Sequence, residues 1–587
     1  MNYNLNISSE DKGKKKSILK SLRSLIGHMV EEKKTLLIAF LAMLVTAVLS
    51  LLGPIIIGKT VDNYIVTKQY HGMLVNCSVL LFMYIIALFA GYTQTKLMGT
   101  IGQRMLFTLR NTVFNKVQEL PLDFFNQNKA GDLISRINND TEKINHFFSH
   151  SLMQFVRFIL IMAGAGIFIL SINFKLGLAA LFPGALIWIF VKFVSPWVKR
   201  RNAASLKSTG NLTAEIQESL NNFKVIVAFN RRDYFRKKFN EASKDNYTAS
   251  VKAGISNNLF LPVFTFFSNI GQLIVLTYGI YLIATDRFTI GLLISFLAYI
   301  NSFYNPLRQL ASLWANFQIA LAAWDRILKI LNLENNITVK KYDIKMENAP
   351  LISFNKVSFT YPNGKEVLHH INFDLEKGKT YAFVGPTGGG KTTTAYLIAR
   401  LYDRTKGQIL LDGIDIQSYT PEQKVKKIGF ILQEPYLFSG TIRDNILYGN
   451  EEYIDLTNEE LINVFRETGL ESLLQRFENG FGTKIENTGD GISLGQKQLI
   501  AFMRAFLRKP DLLILDEATA NIDTVTEQQL EEILQKMPAT TTKVIIAHRL
   551  NTIANADEIF FVNTGTVTRA GSLEDAVNML MHKKRAS

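Results

Sequence analysis

The run TLLIAFLAMLVTAVLSLLGPIII, residues 35–57, contains 23 residues and no charged side chain. A helix needs roughly 20 predominantly apolar residues to cross the hydrocarbon core of a bilayer. Comparable apolar runs follow along the chain, at about 74–95, 158–174, 176–191, 259–285 and 288–307. The sequence therefore predicts six membrane-spanning helices, which return the chain to the side on which it began.

The charges of the connecting segments predict the orientation. Residues 96–151 carry seven Lys or Arg and residues 192–258 carry thirteen, whereas only four lie in the segments on the opposite side, 58–73, 171–175 and 285–287. Because Lys and Arg collect in cytoplasmic connections, we expect both long connections and both termini in the cytoplasm. The long connections contain few Gly or Pro residues, which predicts helices that extend beyond the bilayer.

The composition limits the domain organisation and the partners. A chain of 587 residues is too long for one hydrophobic core, so two or more domains are expected. The composition, with 48% hydrophobic and 20% charged residues, fits a membrane domain joined to a soluble domain. The net charge is +15, and the basic residues flank apolar runs. This arrangement predicts contact with membrane lipids and not with nucleic acid. The single cysteine, Cys77, excludes an internal disulfide and a metal site built from cysteines.

Four segments are expected along the chain. Residues 1–34 form a cytoplasmic N-terminus, in which SILKSLRSLIGHM at 17–29 predicts an interfacial amphipathic helix or an extension of the first span. Residues 35–330 form the membrane domain, 331–350 a polar linker and 351–587 a soluble α/β domain, where short apolar runs alternate with helical patterns.

A glycine-rich loop in the α/β domain predicts phosphate binding. The segment TYAFVGPTGGGKTTT is a strand, a loop and a helix start, and Gly385, Gly390, Lys391 and Thr392 match G-x-x-x-x-G-K-[ST]. In such a loop the glycines let backbone N–H groups close round the phosphates of ATP. Lys391 supplies positive charge and Thr392 an oxygen for Mg²⁺. The predicted ATP-binding set also includes Pro386, Thr387, Gly388, Gly389 and Thr393.

Two acids follow another apolar strand, in LLILDEATANID at 512–523. Asp516 is predicted to hold Mg²⁺, directly or through water, and Glu517 to orient or deprotonate the attacking water. The alternative, that these acids only cap the next helix, is disfavoured by the phosphate loop in the same domain. A third strand pattern, KVIIAH, ends in His548, which has either a structural role or a contact with the terminal phosphate.

The segment ISLGQKQLIAFMRAF at 492–506 predicts a capped helix. Ser493 can cap the helix, with Gln496 at the spacing of a capping box. One buried face is predicted from the apolar spacing of Leu499, Phe502, Met503, Phe506 and Leu507. A helix N-terminus with open N–H groups is also able to bind an anion.

The order of these motifs resembles that of the ATP-binding cassette exporters, over nearly the whole chain. The resemblance implies a half-transporter, in which an all-α domain with six membrane helices precedes an α/β phosphate-loop NTPase domain. It also implies that Tyr361 stacks on adenine, that Gln433 senses Mg²⁺ and the coupling helices, and that His548 contacts the γ-phosphate. Asp523 would cross the dimer interface, and the coupling helices would fall near 120–130 and 218–230.

The resemblance further implies that two nucleotide-binding domains close over two ATP molecules. Each ATP would lie between one chain's phosphate loop and the other chain's signature helix, contacted by residues such as Ser493, Gly495 and Gln496. The family's usual signature is L-S-G-G-Q, whereas this chain has Leu494 at the first glycine position, and the preceding ENTGDG also departs from the family. Leucine adds bulk where glycine allows close approach to a phosphate. The hypothesis is a heterodimer with a non-identical half-transporter; the alternative is a homodimer that tolerates the change.

Three functions remain open from the sequence. The leading one is ATP-driven export of a hydrophobic or amphipathic drug, lipid or peptide across the cytoplasmic membrane. The alternatives are a homodimeric lipid flippase and an ATP-gated channel or regulatory membrane subunit. An importer is disfavoured because membrane and ATPase parts are fused here. The aromatic residues of spans five and six either line a cavity or face lipid and neighbouring helices.

Overall fold

The computed structural model describes residues 3–5, 32–334, 339, 349–362, 364–486, 491–516, 523–546 and 555–583. The chain divides into two compact units. One lies within residues 9–117 and 131–332, and the other within 1–8, 118–130 and 333–587. The predicted interfacial helix at 17–29 lies outside the described residues.

The described part of the first unit contains six helices that are long and apolar enough to cross a membrane, which confirms the predicted number. They are α1 (Lys33–Ile65), α2 (Tyr70–Gln118), α4 (Ala130–Ile172), α5 (Phe174–Asn221), α7 (Arg232–Ala284) and α8 (Ile290–Leu331), with two short helices between them, α3 (Leu122–Gln127) and α6 (Phe223–Ala228). The helices α2, α4, α5, α7 and α8 continue far past the apolar runs. Polar side chains outside the hydrocarbon do not end a helix, so hydropathy marks the span and not the end of the helix.

Side-chain caps mark two of the short turns. Asn173 accepts a hydrogen bond from the backbone N–H of Leu176 at the start of α5 (3.0 Å), and Thr289 accepts one from Leu292 at the start of α8 (3.2 Å). Both residues satisfy N–H groups that a helix leaves unpaired in its first turn.

Close packing and hydrogen bonds join α1 to α8. Gly58 and Gly291 face each other, and a Cβ on either would overlap the backbone of the other helix. Small residues of this kind let membrane helices approach each other closely. Tyr299 donates a hydrogen bond to the carbonyl oxygen of Leu51 (2.5 Å), which satisfies a polar group inside the helix bundle.

The second unit is an α/β domain. Its helices are α9 (Lys391–Ile398), α10 (Pro421–Lys427), α11 (Ile442–Ile446), α12 (Asn458–Glu467), α13 (Glu471–Leu474), α14 (Leu494–Leu507), α15 (Thr524–Lys536) and α16 (Leu573–Lys583). Its strands are β1 (Ile352–Thr360), β2 (Glu366–Leu375), β3 (Thr380–Val384), β4 (Lys406–Leu411), β5 (Ile414–Asp415), β6 (Ile428–Ile431), β7 (Gly440–Thr441), β8 (Lys484–Ile485), β9 (Leu512–Asp516), β10 (Thr542–Ile546), β11 (Glu558–Asn563) and β12 (Thr566–Ala570).

The main sheet has the strand order β12-β11-β3-β10-β9-β6. Its strands run parallel except for β12, so the carboxyl ends of β3, β9 and β6 lie at one edge. The other sheets are antiparallel, a four-stranded one with the order β2-β1-β4-β5 and a two-stranded one formed by β7 and β8. The strands of the parallel sheet are short apolar runs buried on both faces, as parallel sheets require. The predicted α/β class is confirmed.

The tip of the first long connection packs within this α/β unit. Leu122 of α3 contacts the apolar cluster that includes Tyr361, and the side-chain amide of Asn126 donates to the hydroxyl of Tyr402 (2.7 Å). Burial raises the pKa of Asp123. This helix lies inside the 120–130 range expected for a coupling helix.

Candidate nucleotide-binding site

The glycine loop lies between β3 and α9, as the sequence predicts. Gly385 has a φ of +149°, and a Cβ there would overlap the carbonyl oxygen of Val562 in the neighbouring strand β11. Gly390 has a φ of +116°, a conformation that favours glycine, and it precedes α9 without a side-chain cap. The backbone can take this shape only with glycine at these positions, and the first turn of α9 keeps N–H groups that suit an anion.

Lys391 is buried at the start of α9, with 6% of its surface exposed. Its ammonium donates to the carbonyl oxygens of Gly385 (2.9 Å) and Pro386 (3.2 Å), so its positive charge lies against the loop. A buried ammonium requires oxygen partners because desolvation disfavours an isolated charge. The charge is therefore placed where the loop would hold phosphate oxygens.

Thr392 and Asp516 meet at the edge of the sheet. The hydroxyl of Thr392 donates to a carboxylate oxygen of Asp516 over 3.1 Å, and Asp516 ends β9 with 3% of its surface exposed. A hydroxyl and a carboxylate oxygen side by side fit the oxygen ligands that Mg²⁺ prefers. The two residues are 124 positions apart in the sequence, and parallel pairing through β10 brings them together.

Of the other predicted catalytic residues, the structure describes Gln433 but not Glu517 or His548. Gln433 follows β6, which pairs with β9, and its side chain is exposed at the same edge of the sheet. Glu517 and His548 lie outside the described residues. In the sequence, Glu517 directly follows Asp516, and His548 comes two residues after the end of β10.

Tyr361 lies close to the loop on the antiparallel sheet side. Its hydroxyl is 3.0 Å from the hydroxyl of Thr393, and its ring meets the edges of Phe359 and Tyr402. Burial raises the pKa of Tyr361, although the hydrogen bond to Thr393 acts in the opposite direction. The phenol is therefore held beside the first turn of α9.

The helix α14 begins with the predicted capping box. Ser493 accepts a hydrogen bond from the N–H of Gln496 (3.2 Å), and the side chain of Gln496 accepts one from the N–H of Ser493 (2.9 Å). Leu499, Phe502, Met503, Phe506 and Leu507 are all buried, as predicted. The prediction of a single buried face is wrong, because Ile500, Ala501 and Ala505 are buried as well and the helix is enclosed by its neighbours.

Leu494 occupies the first turn of α14 and has 38% of its surface exposed. Its neighbour Ile492 packs against the apolar cluster of the domain. The bulky side chain of Leu494 is therefore presented at the open end of the helix and is not absorbed by the core.

Asp523 lies at the N-terminus of α15, beside α14. Its carboxylate accepts hydrogen bonds from the N–H (2.9 Å) and hydroxyl (2.7 Å) of Thr526, which lower the pKa of Asp523. A Cβ on Gly495 would lie 3.1 Å from the same hydroxyl. The structure thus places Gly495 and Asp523 on the two sides of Thr526.

Sequence reasoning missed two of these neighbours. Thr526 sits three residues after Asp523, the spacing of an N-cap contact, so that signal was present. Val562, whose carbonyl oxygen lies behind Gly385 and Gly389, carries no local signal, because the contact depends on the pairing of β11 with β3.

The fold and this site define a phosphate-loop ATPase fused to a six-helix membrane domain. Residues 36–307 match the family described as the ABC transporter transmembrane region, and residues 368–520 match the family described as ABC transporter. An uncharacterised ABC transporter ATP-binding protein of Bacillus subtilis, YfiC, is 33% identical over 570 residues, which cover 97% of this chain and 94% of that protein.

The names of other relatives mention a transported compound, as two examples show. The fatty acid ABC transporter ATP-binding/permease protein of Mycobacterium bovis is 33% identical, over 84% of this chain and 77% of that protein. The multidrug resistance ABC transporter ATP-binding and permease protein of Lactococcus lactis is 30% identical, over 84% of each chain. The chain belongs to the ATP-binding cassette transporters and is a multi-pass membrane protein of the exporter type, which binds ATP and couples its hydrolysis to transport.

Proposed function

We propose that this chain is the catalytically complete half of a heterodimeric exporter, which moves a hydrophobic or amphipathic drug, lipid or peptide across the cytoplasmic membrane. Both termini, the linker near 331–350 and the α/β domain from 351 would lie in the cytoplasm. The names of the fatty acid and multidrug relatives support an apolar class of substrate. The observation that carries the proposal is the contrast between an intact phosphate loop and Leu494 exposed at the start of α14.

The residues of the site would divide the work as follows. Gly385 to Thr393 would surround the phosphates of ATP, with Lys391 against the outer phosphates and Tyr361 on adenine. Thr392, Asp516 and Gln433 would hold Mg²⁺, which neutralises phosphate charge when bound. Glu517 would position or deprotonate the attacking water, and His548 would contact the γ-phosphate; both come from the sequence, since they lie outside the described residues.

Two exposed surfaces support the proposal that this chain assembles with a second chain. At the tip of the second long connection, Phe223 and Val225 of α6 are each 55% exposed and Phe229 is 74% exposed. A pocket of about 480 Å³ beside them is lined by α6 and the helices on either side, including Arg232 and Arg236. Apolar side chains clustered on a cytoplasmic tip are expected to be covered by another protein surface. The start of α14 with Asp523 forms the second surface.

Leu494 supports a non-identical partner. A helix N-terminus binds phosphate through close approach of backbone N–H groups, and a leucine side chain at the first turn obstructs that approach. In a homodimer both ATP molecules would meet Leu494. In a heterodimer this chain's own ATP would meet the partner's signature helix, and only the ATP held by the partner would meet Leu494.

The Glu517→Gln variant tests the proposal. The transporter is purified from its native membrane with its partner, and steady-state ATP hydrolysis is measured for the wild type and the variant. We expect the variant to lose nearly all hydrolysis, because the complete site belongs to this chain. A loss of about half would show two equivalent sites and would contradict the asymmetry. A preparation that contains two copies of this chain alone would identify the homodimer.

A further inference from the structure

One face of α8 changes character along its length. Asn301, Asn305, Arg308 and Ser312 follow each other at spacings of four, three and four residues, so they share one face, and all four are exposed. The opposite side of the helix is buried in the apolar cluster of the membrane unit. On the exposed face, Ile290 and Ile294 occupy the first turns, so the face is apolar at the start of the helix and polar further along.

With the start of α8 at the outer boundary of the hydrocarbon core, this polar face begins at membrane depth and ends beyond the cytoplasmic boundary. At about 1.5 Å per residue, Asn301 is roughly 16 Å from the start of α8 and Arg308 roughly 27 Å. A hydrocarbon core of about 30 Å therefore places Asn301 near its middle and Arg308 near its cytoplasmic boundary, in the proposed orientation. The side chain of Gln272 on α7 donates to that of Asn301 over 2.8 Å, which adds a second amide at the middle.

Such groups do not suit a surface that faces lipid. An amide that meets hydrocarbon loses hydrogen bonds that water or a polar ligand would supply. Among the described residues, the only hydrogen bond recorded for Arg308 is to the side-chain oxygen of Asn305 (3.3 Å), and no carboxylate forms an ion pair with it. Polar side chains in the middle of a span usually face a cavity or a substrate pathway, and Arg308 lies on the same face of α8 as Asn301.

Lys192 shows the contrasting arrangement at the same depth. It lies 18 residues after the start of α5, as Arg308 lies 18 residues after the start of α8. Its ammonium lies 5.3 Å from the ring centroid of Trp188, an aromatic contact typical of a cation at the membrane interface. The charge of Lys192 has such a contact, whereas, within the part of the chain that the structure describes, Arg308 is paired only with an amide oxygen.

We propose that the face of α8 from Ile290 to Ser312 binds an amphiphile with an acyl chain and an anionic headgroup. The guanidinium of Arg308 matches carboxylate and phosphate oxygens, Asn305 and Asn301 supply further amide groups, and the first turns of the helix receive the acyl chain. This inference rests on the proposed export function and narrows its substrate class. A fatty acid and a phosphate-headed lipid share this chemistry.

Direct binding to the nucleotide-free transporter provides the test. The assembled protein is placed in nanodiscs of a zwitterionic lipid, and radiolabelled palmitate is displaced by unlabelled palmitate, palmitoyl lysophosphatidate, hexadecylamine or hexadecanol. We expect the two anions to compete at least about tenfold better than the amine and the alcohol, as a charge-assisted hydrogen bond predicts. Competition by only one anion would identify its headgroup as the ligand, and equal competition by all four would overturn the inference.

Arg308→Gln and Lys192→Gln form a matched pair of variants. Arg308→Gln should weaken palmitate binding about tenfold, while Lys192→Gln binds as the wild type does. If Arg308→Gln does not assemble, Asn305→Leu, which removes an amide from the same face, should also weaken binding. Wild-type binding by the tested face variant would overturn the inference. Because binding is measured without ATP, it can fail while the Glu517→Gln experiment still supports the proposed export function, and the reverse also holds.

Discussion

Two helices of the α/β domain, α9 and α14, present their N-termini for a phosphate group in the proposed mechanism, but their first turns are built differently. The helix α9 follows Gly390, which has a positive φ and offers no side-chain cap. The helix α14 follows Ser493, whose hydroxyl already pairs with the N–H of Gln496, and its first residue is Leu494. One N-terminus leaves its donors to a ligand, whereas the other has used a donor internally and carries an apolar side chain.

This difference is the basis for the proposal that the chain has a complete ATPase site of its own but binds the ATP of its partner weakly. Both helices use the same partial positive charge, because every α-helix has unpaired N–H groups in its first turn. What differs is access, which glycines provide at α9 and which a capping box and a leucine restrict at α14. The proposed asymmetry between the two ATP sites of the assembled transporter therefore depends on a few residues at the start of each of these two helices.

The largest expected effect comes from removing the charge at α9. Lys391→Ala should lower ATP hydrolysis by the assembled transporter about 100-fold, because a buried ammonium aimed at phosphate oxygens stabilises charge that develops during phosphoryl transfer. Lys406→Ala, which removes an exposed lysine at the start of β4, should leave the rate unchanged. Equal rates of ATP hydrolysis for Lys391→Ala and the wild type would show that the charge at the start of α9 has no part in catalysis.

A second change tests the shape of the loop without altering its charge. Gly385→Ala would force a Cβ against the carbonyl oxygen of Val562 at a φ of +149°, so the loop cannot keep its curve. Affinity for a fluorescent ATP analogue should fall at least about tenfold, since several N–H donors move together. The control is Gly482→Ala, where a Cβ meets no atom within 4 Å. Unchanged affinity in Gly385→Ala would mean that the loop is not the binding element.

Much of α9 and its loop could be predicted from the sequence, because the motif is local. A strand, a glycine run and a helix start follow each other within 15 residues, and each has its own pattern. The capping box of α14 is equally local, because Ser493 and Gln496 are three residues apart. The pairing of Thr392 with Asp516 could be expected because Asp516 ends one buried parallel strand and Thr392 lies in the helix that follows another.

The surroundings of these elements depend on contacts between distant parts of the chain, and the sequence did not reveal them. Ala501 and Ala505 lie on the side of α14 opposite the predicted apolar face, yet both are buried by neighbouring elements. Asn126 donates a hydrogen bond to Tyr402, which is 276 positions away in the sequence, and no local pattern predicts this contact. In the membrane unit, by contrast, the apolar runs predicted the spans, and the scarcity of Gly and Pro in the long connections predicted helices that extend beyond them, as α5 does to Asn221.

A smaller effect is expected from a substitution that makes the start of α14 more like the family's usual signature. In the assembled transporter, Leu494→Gly should raise the apparent ATP affinity of the partner's phosphate loop about two- to fivefold, the size of a helix-terminus contribution of 0.3–1 kcal/mol. Nucleotide trapping at that site measures the change. Leu494→Met keeps the bulk of the side chain and should behave as the wild type does. If Leu494→Gly also behaves as the wild type does, the leucine does not weaken the second site.

The smallest expected effect concerns the capping box itself. Ser493→Ala should destabilise the first turn of α14 by about 1 kcal/mol, which corresponds to roughly fivefold faster hydrogen exchange of its amides. The matched control is Thr457→Ala, which removes the same type of capping box from α12, a helix outside the proposed site. Both variants should loosen their own helix start to a similar extent, but only Ser493→Ala should alter ATP trapping by the partner's loop. If Thr457→Ala alters trapping equally, the effect reflects general loss of stability, and the start of α14 would have no specific part in holding the second nucleotide.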